Sequence, residues 1–332
     1  MSKTYVYFDE CFKDHVITLD YPECSARVKN IIELIKKENL KNITINEPDE
    51  IDKNLIFAAH SEEFVNQTLG RFPQNQEIVF LDQETPVSQG SLKATLKAAG
   101  AGINACDAIM NNKAKNAFCI VRPPGHHACY DRSMGFCVFN NVAIAARYLI
   151  NKFNMENIAI IDFDVHHGNG TQDIFYNDPK VHYYSTHQYP LYPGTGDTNE
   201  VGVNNMINVP LKSGTSSNEF QKIFDEKIIN KLNEQKPDFM IISAGFDAHQ
   251  NDPLANIKLN ENAPPKMTDK TYSIIKNDFI NPEISEDKTL VIFENNLSFE
   301  NSDFKEFKFD KIILAFNSNE FRNIKLSDNV IQ

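Results

Sequence analysis

The chain has 332 residues, with 45 acidic against 33 basic side chains and a formal charge of −12. That length suits one large α/β domain with a substantial core, and the acidic balance argues against direct nucleic-acid binding while leaving cationic partners open. No window approaches the roughly 18 consecutive apolar residues of a membrane span, so a cytoplasmic protein without membrane contact is expected, and the six cysteines, none in a Cys-x-x-Cys pair, read as reduced core residues.

A first strand is expected over residues 5–8. Residues 15–27 then read as a loop, with Pro22, Glu23 and Arg27 on the approach to a helix over 28–37, where Val28, Ile31, Ile32 and Ile35 recur at helical spacing. Ser61, followed by Glu62 and Glu63, has the character of a helix N-cap with acidic residues in the first turn, and His60 before it reads as structural. Residues 91–110, rich in Ala and Leu, predict a helix whose Gly100 and Gly102 permit close packing against a neighbour. No strand-linked Gly-x-Gly-x-x-Gly dinucleotide fingerprint occurs.

A short strand over 117–121 breaks into Arg122-Pro123-Pro124-Gly125-His126-His127, where two prolines fix the backbone ahead of two adjacent histidines. Gly135-Phe136-Cys137-Val138-Phe139-Asn140-Asn141 leads into an Ala-rich helix reaching about residue 152, with Asn140 or Asn141 as its cap. Next comes Ile158-Ala159-Ile160-Ile161-Asp162-Phe163-Asp164-Val165-His166-His167-Gly168-Asn169-Gly170, an apolar strand ending in ionisable groups. In an extended chain residues two apart share a face, so Asp162, Asp164 and His166 point the same way, and an Asp and a His so spaced can grip one metal ion. A strand over 181–185 is followed by a turn-rich loop over 186–197, a helix by 217–233, and a third apolar strand ends at Gly245-Phe246-Asp247-Ala248-His249. Strand, loop and helix repeat in the pattern of a parallel sheet, whose ligands bind outside the carboxyl ends of its strands.

Arg-Pro-Pro-Gly-His-His, Gly-Phe-Cys-Val-Phe-Asn-Asn, Asp-Phe-Asp-Val-His-His-Gly-Asn-Gly, Tyr-Pro-Gly-Thr-Gly and Ala-Gly-Phe-Asp-Ala-His occur here in one order. In that order the chain resembles the histone deacetylase and acetylpolyamine amidohydrolase family of the arginase/deacetylase superfamily, over about residues 5–255. The resemblance implies a three-layer α/β fold with a central parallel sheet flanked by helices, formed by residues 1–261, with 262–332 a divergent segment that could complete the same domain. It implies a metal held by Asp164, His166 and Asp247: zinc, with iron(II) or cobalt(II) as alternatives. It further implies proton transfer by His127 and His126, with Asp162 partnering His126 and Asn169 partnering His127; the neutral Asn169 is the class II pattern. Gly135, Phe136, Tyr192 and Leu254 would bind substrate, an acylated lysine peptide or an acetylpolyamine. Arg27 matches the arginine of an internal channel, and Asp162, Asp164 and Ser185 a structural potassium site.

The family's oxyanion tyrosine, in a Glu-Gly-Gly-Tyr loop, has no counterpart: Thr289-Leu290-Val291-Ile292-Phe293-Glu294-Asn295-Asn296-Leu297 carries Leu297 in its place. Tyr272, Asn295 and Asn296 are the remaining candidates for that donor, and 311–316 for a further strand. The resemblance therefore implies a hydrolase acting on linear amide bonds, weakened by the loss of the tyrosine, or an impaired relative that binds acyl-lysine. An arginase-like hydrolase is the weaker third reading, because that fold holds two manganese ions with more carboxylates than are found here.

Overall fold

The structure is a computed structural model that describes residues 4–17, 22–38, 42–260 and, as backbone, 289–295. Eight parallel strands form the main sheet: β1 (Thr4–Tyr7), β2 (Ile43–Asn46), β5 (Asn116–Cys119), β6 (Ile158–Asp162), β7 (Val181–Gln188), β8 (Met206–Leu211), β9 (Phe239–Gly245) and β10 (Thr289–Asn295); β3 (Val79–Phe80) and β4 (Pro86–Val87) pair separately. The order across the main sheet is β2-β1-β5-β10-β9-β6-β7-β8. Ile158, Ala159, Ile160 and Ile161 are all fully buried, as a strand covered on both faces requires.

The helices are α1 (Ala26–Glu38), α2 (Lys53–Ile56), α3 (Glu62–Gly70), α4 (Ser91–Met110), α5 (Asn141–Phe153), α6 (Asn169–Phe175), α7 (Ser217–Phe224) and α8 (Asn230–Gln235). Crossovers from β2 to β5, β5 to β6 and β6 to β7 run one way along the sheet, and those from β1 to β2 and β8 to β9 the other. Because parallel crossovers are right-handed, the two sets of helices cover opposite faces, and α4 and α5, from the first set, pack on each other. The α/β fold with a central parallel sheet flanked by helices is the one the sequence implied.

The N-caps also follow the sequence: Ser61 accepts from Phe64 N at 3.2 Å and Asn140 from Ala143 N at 2.9 Å. One expectation needs correction. The loop expected from residue 186 begins later, because β7 continues through His187 and Gln188 against β8. The helix expected over 217–233 runs unbroken to Gln235, with a π-helical turn over Asp225–Ile229 joining α7 to α8 and Ile228 and Ile229 buried in the core. All six cysteines are free thiols, five of them buried. Among the described residues no helix is long and apolar enough to cross a membrane. Tyr272, Asn296, Leu297 and residues 311–316 lie outside the described residues.

Candidate active site

Because β5, β6, β7 and β9 are parallel, their carboxyl ends meet at one edge of the sheet, where the chain has concentrated its ionisable groups. β6 ends in Asp162, β9 ends two residues before Asp247, and β5 feeds the segment that holds His126 and His127. That segment is anchored by Arg122, which is 1% exposed. Its guanidinium donates to Glu23 Oε1 and Oε2, both at 2.6 Å, and to the carbonyls of Phe12 at 2.7 Å and His15 at 2.9 Å. Arg27 Nη1 donates to the same Glu23 at 3.0 Å. Burial alone would raise the Glu23 pKa, but the adjacent guanidinium charges outweigh it and hold the carboxyl at about 2.

Asp164, His166 and Asp247 come together with donor atoms within 4.8 Å of one another, all of them buried. His166 Nδ1 lies 3.1 Å from Asp164 Oδ1 and 2.9 Å from Asp247 Oδ2. Asp164 Oδ2 is buried and makes no hydrogen bond. A Cβ on Gly245 would stand 2.1 Å from that oxygen, so glycine there is a condition for the carboxylate's position. Two carboxylates and an imidazole, one oxygen still unbonded, are the donor set that a divalent cation requires, and the residues fit such an ion. Without it, burial disfavours the His166 cation, but the two carboxylates outweigh burial and raise its pKa to about 10. Burial, then the Asp164 charge, raises Asp247 to about 6.

The two histidines beside this cluster have separate partners. His126 Nδ1 is 3.0 Å from Asp162 Oδ2, which also accepts from the Tyr183 hydroxyl at 3.0 Å. His127 Nδ1 is 2.8 Å from Asn169 Oδ1. Their rings lie 4.0 Å apart, and burial first, then the charges of His126 and His166, press the His127 pKa well below its ordinary value. Helix α6 is set by the same segment, since Gly170 N and Thr171 N both donate to His126 O, at 3.0 and 3.1 Å.

Of the four residues expected to meet substrate, Tyr192 and Gly135 lie against His127. The Tyr192 ring stands edge-on to His127 at 5.1 Å and lies 6.2 Å from His166. Gly135 has φ +55°, and a Cβ there would meet His127 Cδ2 at 2.5 Å. Phe136 follows it, also at positive φ (+69°) and half-buried. Leu254 is 40% exposed on the loop after β9. Ser185 is the cross-strand neighbour of Asp162, and Asp162 Oδ1 accepts from Asp164 N at 3.2 Å, so the expected potassium residues are contiguous.

Several neighbours were not singled out from the sequence. Tyr183, Cys129 and Met134 hold the partners of the two histidines, and Glu84 bonds the Tyr192 hydroxyl, whose pKa is raised by burial first and then by that carboxylate. His167 Nδ1 meets Thr195 Oγ1 at 2.7 Å and its ring lies 4.7 Å from the tilted ring of His187, pinning the loop that bears Tyr192. The alternation of β7 puts Tyr183 on the Ser185 face, a legible signal; the others depend on contacts between distant loops.

Residues 21–283 match the family model described as the histone deacetylase domain. The chain belongs to the histone deacetylase family. A probable deacetylase of Archaeoglobus fulgidus is 37% identical over 273 residues, covering 80% of this chain and 74% of that one. Histone deacetylase 10, chloroplastic, of Oryza sativa subsp. japonica is 37% identical over 261 residues, covering 72% of this chain and 58% of that one. Among solved structures, the HD domain of HDA15 matches with a TM-score of 0.78 at 31% identity, covering 89% of this chain and 83% of that one. The deacetylase domain thus spans most of the described residues, with the buried Asp164, His166 and Asp247 at the carboxyl edge of its sheet.

Proposed function

We propose that this chain hydrolyses acetyl or other short acyl groups from the amine of lysine or of a polyamine, using a metal ion held by Asp164, His166 and Asp247, with zinc the expected ion and iron(II) or cobalt(II) the alternatives. The observation that carries the reading is the juxtaposition of this buried donor set with two histidines, each tied through Nδ1 to its own acceptor. Relatives named as deacetylases support hydrolytic activity in general. A bound divalent cation supplies Lewis-acid chemistry, polarising an amide carbonyl and acidifying water.

The protein's own groups do the rest. His127 is neutral and donates Nδ1–H to Asn169, so Nε2 is left to take a proton from water and to return it to the leaving amine. His126, hydrogen-bonded to Asp162, lies against the His127 ring and tunes its neighbour. Tyr192, Phe136 and Gly135 form the wall along which an extended acyl-amine chain enters, with Leu254 at its mouth. Asp162, Asp164 and Ser185 would hold a structural potassium ion, a reading supported by their contiguity across β6 and β7. The placement of β10 between β5 and β9 supports residues after 261 completing the same domain.

Purified, zinc-loaded protein assayed on acetyl-lysine and acetylpolyamine amides, beside an Asp164→Ala control, tests the proposal. Hydrolysis by the native chain alone is expected; equal rates for both end the idea. One feature favours a second reading, an acyl-lysine-binding protein with impaired chemistry: Leu297 stands where the family carries its oxyanion tyrosine. Loss of one such donor costs on the order of 100- to 1000-fold in turnover. Calorimetry that detects no binding of an acetyl-lysine peptide removes this reading, as does a high turnover number.

A further inference from the structure

Asn169 ends on two sulfur atoms. Its amide nitrogen lies 3.3 Å from Cys129 Sγ and 3.2 Å from Met134 Sδ, while its oxygen faces His127 Nδ1 at 2.8 Å. A thioether has no proton and can only accept. The Cys129 thiol points its own proton at the His127 carbonyl, 3.6 Å away, which leaves sulfur lone pairs toward Asn169. Both sulfurs therefore admit an amide NH2 and reject a carbonyl oxygen.

An asparagine side chain is nearly symmetric in shape, and reversing it changes the hydrogen bonding but not the volume. Reversed, Asn169 would offer N–H to His127 Nδ1, and the imidazole would have to carry its proton on Nε2 instead. An aspartate at this position has two equivalent oxygens and no such choice to make. A neutral partner needs something else to fix its direction. We propose that Met134 and Cys129 are positioning residues: they hold Asn169 in one amide orientation and, through it, hold His127 as the Nδ1–H tautomer with Nε2 able to accept a proton. The catalytic consequence rests on the role assigned to His127 above; the tautomer itself does not.

The test uses metal-free, full-length protein labelled with nitrogen-15 in histidine, in which long-range nitrogen–proton correlations identify the tautomer of each ring. Native His127 shows Nδ1 protonated and Nε2 bare. Met134→Leu, which nearly conserves volume, and the Cys129→Ala/Met134→Leu double variant are expected to show the Nε2–H form in addition. Loaded with zinc, the double variant loses about three- to tenfold in kcat, the worth of a weak hydrogen bond, with KM within roughly twofold of native. In an Asn169→Asp background the same two substitutions leave His127 protonated at Nδ1 and change kcat by less than about twofold. A double variant whose His127 stays wholly Nδ1–H overturns the proposal, and so does an equal loss of kcat in both backgrounds, which marks ordinary packing. If the tautomer shifts as expected while native zinc-loaded protein hydrolyses no acyl-amine, the positioning role stands and the proposed activity falls.

Discussion

Metal binding at Asp164, His166 and Asp247 has to displace a proton, and the structure sets how many. In the metal-free protein His166 Nδ1 is clamped between Asp164 Oδ1 at 3.1 Å and Asp247 Oδ2 at 2.9 Å. Burial opposes the imidazolium, but those carboxylates outweigh it and lift the pKa to about 10. An imidazole ligand must be neutral, so at pH 7 the entering ion expels one proton. Three pH units at 1.36 kcal/mol each is on the order of 4 kcal/mol taken from the intrinsic affinity. The logarithm of the apparent association constant should therefore climb by about one per pH unit between about 6 and 10. Below about 6, where Asp247 also takes up a proton, the slope steepens toward two. Calorimetric titration of zinc into metal-free protein, in two buffers of different ionisation enthalpy, counts the released protons directly. One proton near pH 7 and nearly two near pH 5 are expected. Zero released near pH 7, or an affinity flat from about pH 6.5 to 8.5, would refute the clamped imidazolium.

Gly245→Ala should weaken zinc binding by about tenfold or more while leaving every ligand in the sequence, because its Cβ would enter the space of Asp164 Oδ2 at 2.1 Å; chelator competition measures this, and native affinity contradicts it. Arg122→Ala should cost about 3 to 5 kcal/mol of unfolding free energy, since Glu23, 0% exposed, loses two 2.6 Å partners; a urea midpoint near native would show that Arg27 alone suffices. Acid should destabilise the chain earlier than carboxylates alone would dictate. Burial, chiefly, lowers His15, His60 and His187 from 6.5 to about 4 each, so their stabilisation is fully present above 6.5 and is lost as pH falls through 4. With three such protons the unfolding free energy should fall by roughly 4 kcal/mol per pH unit near pH 5, and a flat profile there contradicts neutral burial.

Much of the architecture was legible because it rests on local pattern. The run Ile158–Asp162 announces a strand buried on both faces and its ionisable tail announces an edge with chemistry. The strands that were missed have physical reasons. β8 (Met206–Leu211) carries Pro210, which reads against a strand, yet β8 is the edge of the sheet, where a missing N–H is tolerated. Without β8 as a partner nothing extends β7 through Gln188, and by sequence alone His187 reads as loop. β10 has the apolar run of a strand, but nothing in its residues says that it inserts between β5 and β9, because position within a parallel sheet is set by crossovers rather than by composition. Gly168-Asn169-Gly170 looks like a turn, and becomes the start of α6 because the His126 carbonyl, 44 residues from Gly170, accepts its first amides. The ligand trio was legible by spacing only as far as Asp164 and His166; Asp247 came from the resemblance, and the partners of Asn169 from neither.

The glycines in the recurring motifs explain why so compact a site tolerates so many polar groups. A Cβ on Gly168 would stand 2.4 Å from Asp162 Oδ2, on Gly196 2.4 Å from His187 Nε2, on Gly135 2.5 Å from His127 Cδ2, and on Gly245 2.1 Å from Asp164 Oδ2. Each of these glycines is thus the empty volume into which one ionisable side chain is pressed, and the close approach keeps water out and holds each ring or carboxylate in one rotamer. Geometry of this kind is destroyed without touching an ionisable residue: a chain with every carboxylate and imidazole intact but alanine at two such positions would keep the motif's chemistry on paper and lose its arrangement. The converse applies to the C-terminal departure. Each of these four close approaches is made between residues before 246, so Asp162, Asp164, His127 and His187 are held by contacts within that part of the chain. On the proposed function Leu297 withholds an oxyanion donor, and its effect is expected in turnover while metal affinity and the His127 tautomer stay native.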